Sequence, residues 1–221
     1  MTRSLSHWIV LTTAACTMGA CGNLSQPYPK RDYFAMSASP PARTALESKT
    51  APTLLVRRLT VASPYGDRCF VYRVGADQFR TDYYNGFVLS PDDNLTAQVV
   101  QWLEHSDLPV VVSGEGSTLS HSLALEGAAL DLYGDYTSAQ PQAVMTIKFF
   151  LLNDQDVRPR LLWMRQYSRR VPLAGTEPAA LVTAWNKALQ AILEDLVRDL
   201  RDVQAIQAAS QPSAATEPSP P

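Results

Sequence analysis

The sequence predicts an α/β fold: a single domain with a mixed, largely antiparallel sheet and two amphipathic helices packed on it. Several segments alternate apolar and polar residues with a period of two, which is typical of half-buried strands. Two other segments, which begin near residues 91 and 178, carry apolar residues at three-to-four spacing, as helices that cover a sheet do. With 221 residues, the chain is long enough to form a domain with a real core.

Residues 70–106 predict a hairpin followed by a helix. Residues 70–74 alternate as a strand, residues 75–77 have turn chemistry, and an aromatic return strand runs from Phe79 to Phe87. Ser90 can accept hydrogen bonds from the first free amides of the helix, and Pro91 suits the first helical position. The apolar face of this helix is predicted to consist of Leu95, Val99, Trp102 and Leu103.

Shorter strands are expected on both sides of this unit. Residues 33–36 predict an edge strand, residues 37–52 a flexible linker and residues 54–62 a second strand. Another strand is expected at residues 109–112. Since a helix separates it from the hairpin, the strands before and after that helix are predicted to run parallel.

A three-stranded meander is expected next. Apolar alternation changes phase between Leu125 and Leu130, so Gly127-Ala128 is a candidate β-bulge. Residues 143–151 form the most apolar segment and predict a central strand, and residues 161–167 return antiparallel to it.

The second helix is predicted from Pro178 to Ile206, with Thr176 as its cap. Its apolar stripe consists of Leu181, Trp185, Leu189, Ile192, Leu196, Leu200 and Val203. A helix this long, about 43 Å, matches the width of the domain. We therefore expect the stripe to be core up to about Leu196 and its end to be available to a partner.

The chain begins with features of a lipoprotein signal peptide. Its apolar stretch is shorter than the roughly 20 residues that span a bilayer. Small residues precede both Cys16 and Cys21, and Cys21 is the better lipidation candidate because it leaves an apolar region of normal length. An ordinary secretory signal cut near Ala20 is the alternative. With Cys21 lipidated, Cys69 has no partner for an intramolecular disulfide.

These features divide the chain into four parts. They are a signal peptide (1–20), a lipidated N-terminus with a short strand and linker (21–52), a periplasmic α/β domain (53–206) and a disordered tail rich in Pro, Ala and Ser (207–221). From Cys21 to Tyr33 the chain can span at most about 40 Å, which keeps the domain close to its membrane.

No cofactor, metal site or catalytic set is predicted. The net charge of −2 lacks the basic excess of a nucleic-acid binder. His105 and His121 lie far apart in sequence, and no nucleophile-elbow motif accompanies Ser117 or Ser120 beside His121. An unrecognised hydrolase is therefore the least favoured of the hypotheses.

Five arginines cluster around the hairpin of residues 158–170. Either they form a solvated strand face or they meet anionic headgroups or an acidic partner. The candidate contact residues are Arg165, Arg169, Arg170 and Val203.

The organising stretch resembles a known family. Six positions carry the resemblance: Tyr72, Tyr83, Tyr84, Asn85, Phe87 and Pro91. In their order they are similar to the ABC-type transport auxiliary lipoproteins, the PqiC-like components of MCE-type intermembrane lipid transport systems. The resemblance covers Tyr33 to Ile206, with a departure at residues 106–109, which read Ser-Asp-Leu-Pro where the family often has Ser-Gly-Leu-Phe.

The resemblance implies a non-catalytic subunit held by its lipid at the outer membrane and facing the periplasm. Its implied partners are an MCE-domain protein and the associated ABC transporter, and homo-oligomers are left open. Gly22, rather than Asp, after the lipidated cysteine agrees with an outer-membrane address. The six motif residues are interpreted mainly as fold determinants. The alternative function is a lipoprotein that assembles or caps another outer-membrane complex.

Overall fold

The computed structural model describes residues 30–42, 51–155 and 157–203. In chain order, the elements in these ranges are β1 (Asp32–Phe34), β2 (Thr53–Val56), β3 (Thr60–Val61), β4 (Cys69–Arg73), β5 (Phe79–Phe87), α1 (Pro91–His105), β6 (Val111–Gly114), β7 (Leu123–Asp135), β8 (Gln142–Asn153), β9 (Arg160–Pro172) and α2 (Pro178–Arg201). The predicted signal peptide, the candidate lipidation site Cys21 and the predicted Pro-rich tail lie outside the described residues.

The nine described strands form one mixed sheet around β7. Along one edge, β7 pairs antiparallel with β8, which pairs antiparallel with β9. Along its other edge, β7 pairs in succession with β2, β3 and β4, all parallel to it. Outside these, β6 adds to β2, β5 adds to β4, and β1 adds to β5. The predicted α/β class, hairpin and meander are confirmed.

Both helices pack on this sheet and contact each other. α2 lies on β8 and β9, whereas α1 lies on β2, β3 and β6. Trp185 of α2 is fully buried, with its ring centre 5.2 Å from that of Phe70 and 5.5 Å from that of Phe87. Among the described residues, no helix has both the length and the apolar character needed to cross a bilayer.

The expected parallel arrangement around α1 is wrong. β5 runs antiparallel to β4, whereas β6 runs parallel to β2 and therefore in the same direction as β4 and β7. The two strands also lie on separate branches of the sheet, one beside β4 and the other beside β2. The crossover rule does not apply, because α1 joins strands of opposite direction.

The predicted strand at residues 54–62 is divided into β2 and β3. Between them, the amide of Leu59 donates to Thr96 Oγ1 of α1 at 2.9 Å, and the Leu59 side chain is buried. A Cβ added at Gly127 would lie 2.7 Å from Leu59 Cγ, so Gly127 makes room for this side chain. The expected bulge at Gly127-Ala128 is therefore misplaced, and the register shift of β7 against β8 falls between Ala129 and Asp131.

Both predicted helix caps differ from the structure. Ser90 precedes α1 but makes no side-chain hydrogen bond to its amides, and its Oγ instead donates to Asp93 Oδ2 at 2.7 Å. Glu177, and not Thr176, occupies the position before α2, again without a side-chain cap.

The segment after β1 is not wholly a linker. Met36 and Ala38 are buried, and the amide of Ala38 donates to Gln98 Oε1 of α1 at 2.7 Å. The amide of Ser37 donates to Asn186 Oδ1 of α2 at 2.9 Å. Residues 36–38 therefore fasten the start of the domain to both helices.

The end of α2 does not protrude as expected. Leu200 has no exposed surface, as Leu189 and Leu196 have none, and Val203 packs partly buried against the same core. The helix ends at Arg201, before the predicted Ile206, which lies outside the described residues. The core therefore extends beyond Leu196, to the last turn of the helix.

Candidate interaction site

The hairpin of β4 and β5 contains a large bulge that the alternating pattern did not reveal. Cys69 is paired with Gly86 and Val71 with Thr81, so a two-residue step on β4 faces a five-residue step on β5. The extra residues, 82–85, are not paired with β4, although Asn85 pairs with Asp32 of the edge strand β1. They read Asp-Tyr-Tyr-Asn and include three of the six positions that carry the family resemblance.

Asp82 holds this bulge in shape. Its Oδ2 accepts hydrogen bonds from the Tyr72 hydroxyl at 2.6 Å and from Asn85 Nδ2 at 2.9 Å. Its Oδ1 accepts from the backbone amides of Tyr84 at 2.8 Å and Asn85 at 3.1 Å. Tyr72, Asp82 and Asn85 therefore act together to hold these four residues in the shape of the bulge.

Electrostatics favours the same arrangement. Partial burial by itself would raise the pKa of Asp82, but the hydrogen bonds from Tyr72, Asn85 and the two amides outweigh it and lower that pKa. Burial, followed by the bond to Asp82, raises the pKa of the Tyr72 hydroxyl. At neutral pH the carboxylate is therefore charged and the phenol keeps its proton, as this hydrogen bond requires.

The bulge presents two tyrosines to solvent. Tyr83 is 53% exposed and Tyr84 is 51% exposed, and their rings meet edge to face with centres 5.4 Å apart. The Arg31 guanidinium carbon lies 3.8 Å from the centre of the Tyr83 ring, within cation–π distance. Tyr33, on the neighbouring β1, is also 53% exposed.

These side chains line a groove of about 360 Å³, which we call the tyrosine groove. Its defining residues are Arg31, Tyr33, Arg68, Tyr83, Tyr84 and Val88. At its floor, a Cβ added at Gly86 would lie 2.4 Å from the carbonyl oxygen of Arg68, so only glycine allows this close approach of the two strands. The free thiol of Cys69 also faces the groove.

The arginines of the tyrosine groove are not neutralised within the part of the chain that the structure describes. No described carboxylate lies within 4.0 Å of a side-chain nitrogen of Arg31 or Arg68. Asp82, the acid of the bulge, accepts its hydrogen bonds from Tyr72, Asn85 and backbone amides instead. Asp32 also lines the groove, so two arginines face one carboxylate there. The groove therefore combines aromatic surface with a small net positive charge.

The arginines singled out on β9 are in a different situation. Arg165 pairs with Asp199 at 2.7 Å, Arg170 pairs with Asp135 at 3.1 Å, and Arg169 pairs with Asp195. Each of these arginines thus has a carboxylate partner in the same chain, although Asp135 also pairs with Arg73 and Asp195 also pairs with Arg198. Contact of these arginines with headgroups or a partner remains a hypothesis.

Val203 and Arg165 do lie together. Both line a shallow groove of about 690 Å³ between β9 and the end of α2, together with Trp163 and Met164. Met164 is 48% exposed. The structure therefore brings one of the three candidate arginines to the candidate apolar contact.

The two histidines of the described chain lie apart. His105 Nδ1 is 2.8 Å from the carbonyl oxygen of Gln101 on its own helix. His121 Nε2 is 3.0 Å from Asp154 Oδ2, which also accepts from Arg57 at 2.7 Å. Within the described ranges, no three His, Cys, Asp or Glu side chains are grouped as metal ligands would be.

The motif residues fall into two groups. Phe87 and Pro91 are buried, and Tyr72 and Asn85 hold Asp82. Tyr83 and Tyr84 are each about half exposed, and for these two the role of fold determinant stays a prediction. Arg31, Tyr33 and Arg68 were missed, since the pairing of β1 with β5 brings the first two to the bulge and the pairing of Cys69 with Gly86 brings Arg68.

The fold places the chain in a class of small α/β domains with solved relatives. A Xanthomonas campestris protein of the DUF330 family model superposes with a TM-score of 0.68 at 18% identity, covering 80% of this chain and 99% of that one. An uncharacterized protein gives 0.59 at 14% identity, covering 77% and 99%. A Chlamydia trachomatis hypothetical protein gives 0.51 at 7% identity, covering 72% and 99%. At these identities the likeness shows the fold alone.

The family follows from the sequence match. Residues 34–197 match the model of the ABC-type transport auxiliary lipoprotein component family, which is more than half of the chain. The protein belongs to that family and is an auxiliary lipoprotein component of ABC-type transport systems. Comparison with curated proteins finds no significant match.

Proposed function

We propose that the protein is a non-catalytic subunit that assists an MCE-type intermembrane lipid transport system from the periplasmic face of the outer membrane. The observation that carries this proposal is the family match over residues 34–197, preceded by a lipobox-like sequence that ends at Cys21. Its proposed partners are an MCE-domain protein and the ABC transporter that works with it.

Cys21 is the proposed lipidation site, and Gly22 after it favours the outer membrane. Cys21→Ser should leave an unprocessed precursor that incorporates no radioactive palmitate, whereas Cys16→Ser should be labelled normally. Labelling of Cys21→Ser together with loss of label in Cys16→Ser would overturn the assignment. Separation of the inner and outer membranes then tests the proposed outer-membrane location. Retention of a Gly22→Asp variant in the inner membrane would support the proposal that Gly22 favours the outer membrane.

The transport role is tested by co-purification from membranes cross-linked in cells. The tagged lipoprotein should co-purify with an MCE-domain protein and, through that protein, with the ATPase and permease subunits. A deletion strain should show the same defect in lipid distribution between the membranes as a strain that lacks the ATPase. Retention of an outer-membrane complex without these subunits would favour the alternative role of an assembly or capping factor.

The non-catalytic role is tested at His121, which of the two histidines in the described ranges is the one that contacts a carboxylate. His121 shares Asp154 with Arg57, so Arg57 still neutralises this carboxylate when the imidazole is removed. His121→Ala should therefore complement the deletion strain. Loss of function in an abundant, folded His121→Ala protein would support an enzyme instead.

A further inference from the structure

We infer that the tyrosine groove is the face of the domain that rests on the membrane, in contact with anionic phospholipid headgroups beside the lipid anchor. This inference depends on the proposed lipidation of Cys21. It gives the domain a defined orientation on the bilayer, which a lipid anchor alone does not impose.

The reach of the chain places the groove near the bilayer. Cys21 and Arg31 are ten residue steps apart, a span of at most about 35 Å. Arg31 directly precedes β1 and stacks on Tyr83, so the anchored end of the chain enters the domain at the groove itself. A membrane that holds Cys21 is therefore within reach of this surface.

The exposed side chains suit the headgroup region. Tyr33, Tyr83 and Tyr84 each expose about half of their surface, and Val88 beside them is 51% exposed. Tyrosine is enriched where membranes meet water, because its ring is apolar and its hydroxyl is polar. Burying the aromatic bodies at this level while the hydroxyls stay hydrated removes apolar surface from water.

The charge of the groove favours an anionic bilayer. Arg31 and Arg68 have no carboxylate partner among the described residues, whereas the arginines of β9 do. A guanidinium can bind a phosphate through two parallel hydrogen bonds. The chain as a whole has a net charge of −2, so its attraction to anionic lipid has to come from a local site.

A partner strand is a poorer occupant. β1 forms the free edge here and is only three residues long, so an added strand would gain few backbone hydrogen bonds. Its outer neighbour would also meet the tyrosine side chains rather than a flat edge. A bilayer needs no backbone register and accommodates the projecting bulge.

The first test measures how deeply a tryptophan probe on the lipid-anchored protein enters the bilayer. Purified full-length lipoprotein is reconstituted in vesicles that contain brominated phospholipids, with Tyr84→Trp as the probe. Val157→Trp is the matched control, because Val157 is fully exposed in the β8–β9 turn at another edge of the sheet. Quenching above that of the parent protein should be several-fold larger for Tyr84→Trp. Equal quenching of the two probes would overturn the inference.

The second test removes the anchor from the measurement. The mature chain with Cys21→Ser is floated with vesicles of phosphatidylglycerol or of phosphatidylcholine alone. Binding to phosphatidylglycerol should fall about fivefold in Arg31→Gln, the loss expected for one arginine at an anionic surface. It should also fall in Tyr84→Ser and stay unchanged in Arg165→Gln, whose charge is already paired.

The outcomes separate this inference from the proposed function. Palmitate labelling at Cys21 with no vesicle binding by the groove would reject the inference and leave the anchor in place. Vesicle binding without palmitate labelling would reject the anchor instead. If Arg31→Gln and Tyr84→Ser abolish recovery of a partner protein or of dimers while vesicle binding is unchanged, the groove is a protein interface and the inference fails.

Discussion

The bulge of β5 and the β9–α2 face contain similar side chains that do different things. In each, a tyrosine hydroxyl donates to an aspartate at 2.6 Å, Tyr72 to Asp82 and Tyr167 to Asp199. Asp199 also pairs with Arg165. The oxygens of Asp82 instead accept further hydrogen bonds from the Asn85 side chain and from backbone amides. Whether a surface arginine is available to a ligand therefore depends on the acids that fold next to it, and not on how many arginines the segment contains.

The largest expected effect concerns the β9–α2 face. Leu200→Ala should lower the free energy of unfolding by about 2–5 kcal/mol, as Leu189→Ala should, because both side chains are completely buried. Urea unfolding of the two variants measures this. A loss below about 1 kcal/mol for Leu200→Ala, with a large loss for Leu189→Ala, would mean that the end of α2 does not belong to the core.

The next effect sharpens the contrast between the two tyrosine–aspartate bonds. Tyr72→Phe and Tyr167→Phe should each lower stability by about 1.5–3 kcal/mol, the usual value for a hydrogen bond to a charged group. Only Tyr72→Phe should also weaken binding to phosphatidylglycerol vesicles, since it loosens the bulge that presents Tyr83 and Tyr84. Equal vesicle binding by both variants would mean that the hydrogen bond from Tyr72 to Asp82 is not needed for the tyrosine groove to bind lipid.

The effect of pH should follow the direction of the aspartate pKa. The hydrogen bonds hold the pKa of Asp82 below its ordinary value of 3.8, so its contribution to stability is present above that value and is lost as pH falls through the folded pKa. The stability difference between the wild type and Tyr72→Phe should therefore narrow as the pH falls below about 4. A difference that widens on acidification would mean that Tyr72 bonds the neutral acid instead.

The smallest effects should come from single exposed side chains. Arg165→Gln should change stability little, because its side chain is 56% exposed and surface ion pairs contribute little. Tyr84→Ser should change stability by less than about 0.5 kcal/mol. Thermal unfolding of both variants tests this, and a large loss in Tyr84→Ser would make that residue a fold determinant after all.

The parts of the fold that the sequence predicted are those set by local periodicity. The apolar residues from Leu181 to Leu196 repeat at helical spacing and are buried as expected, and the apolar content of residues 143–151 identified the strand β8. The parts that it missed depend on distant partners. Gly127 was interpreted as part of a bulge because the neighbouring sequence does not show that the Leu59 side chain occupies the space beside it.

The candidate site was missed for the same reason. The Asp-Tyr-Tyr-Asn motif was recognised, but its bulge exists because Tyr72, ten residues before Asp82, donates across the hairpin. The groove further needs Arg31 from a strand about fifty residues away. Likewise, the pairing of Arg169 with Asp195 joins β9 to a helix that no periodicity places beside it.

The position of β7 has a consequence for how the chain acquires its fold. β2, β3 and β4 all pair with β7, which follows them by about fifty residues or more. As synthesis proceeds from the N-terminus, these three strands are complete before the strand that joins them exists, whereas β7, β8 and β9 meet through short turns. We expect the meander to form first and to serve as the template for the earlier half. A chain stopped after Ser120 would have no strand to join the β2–β6 pair to the group of β1, β5 and β4.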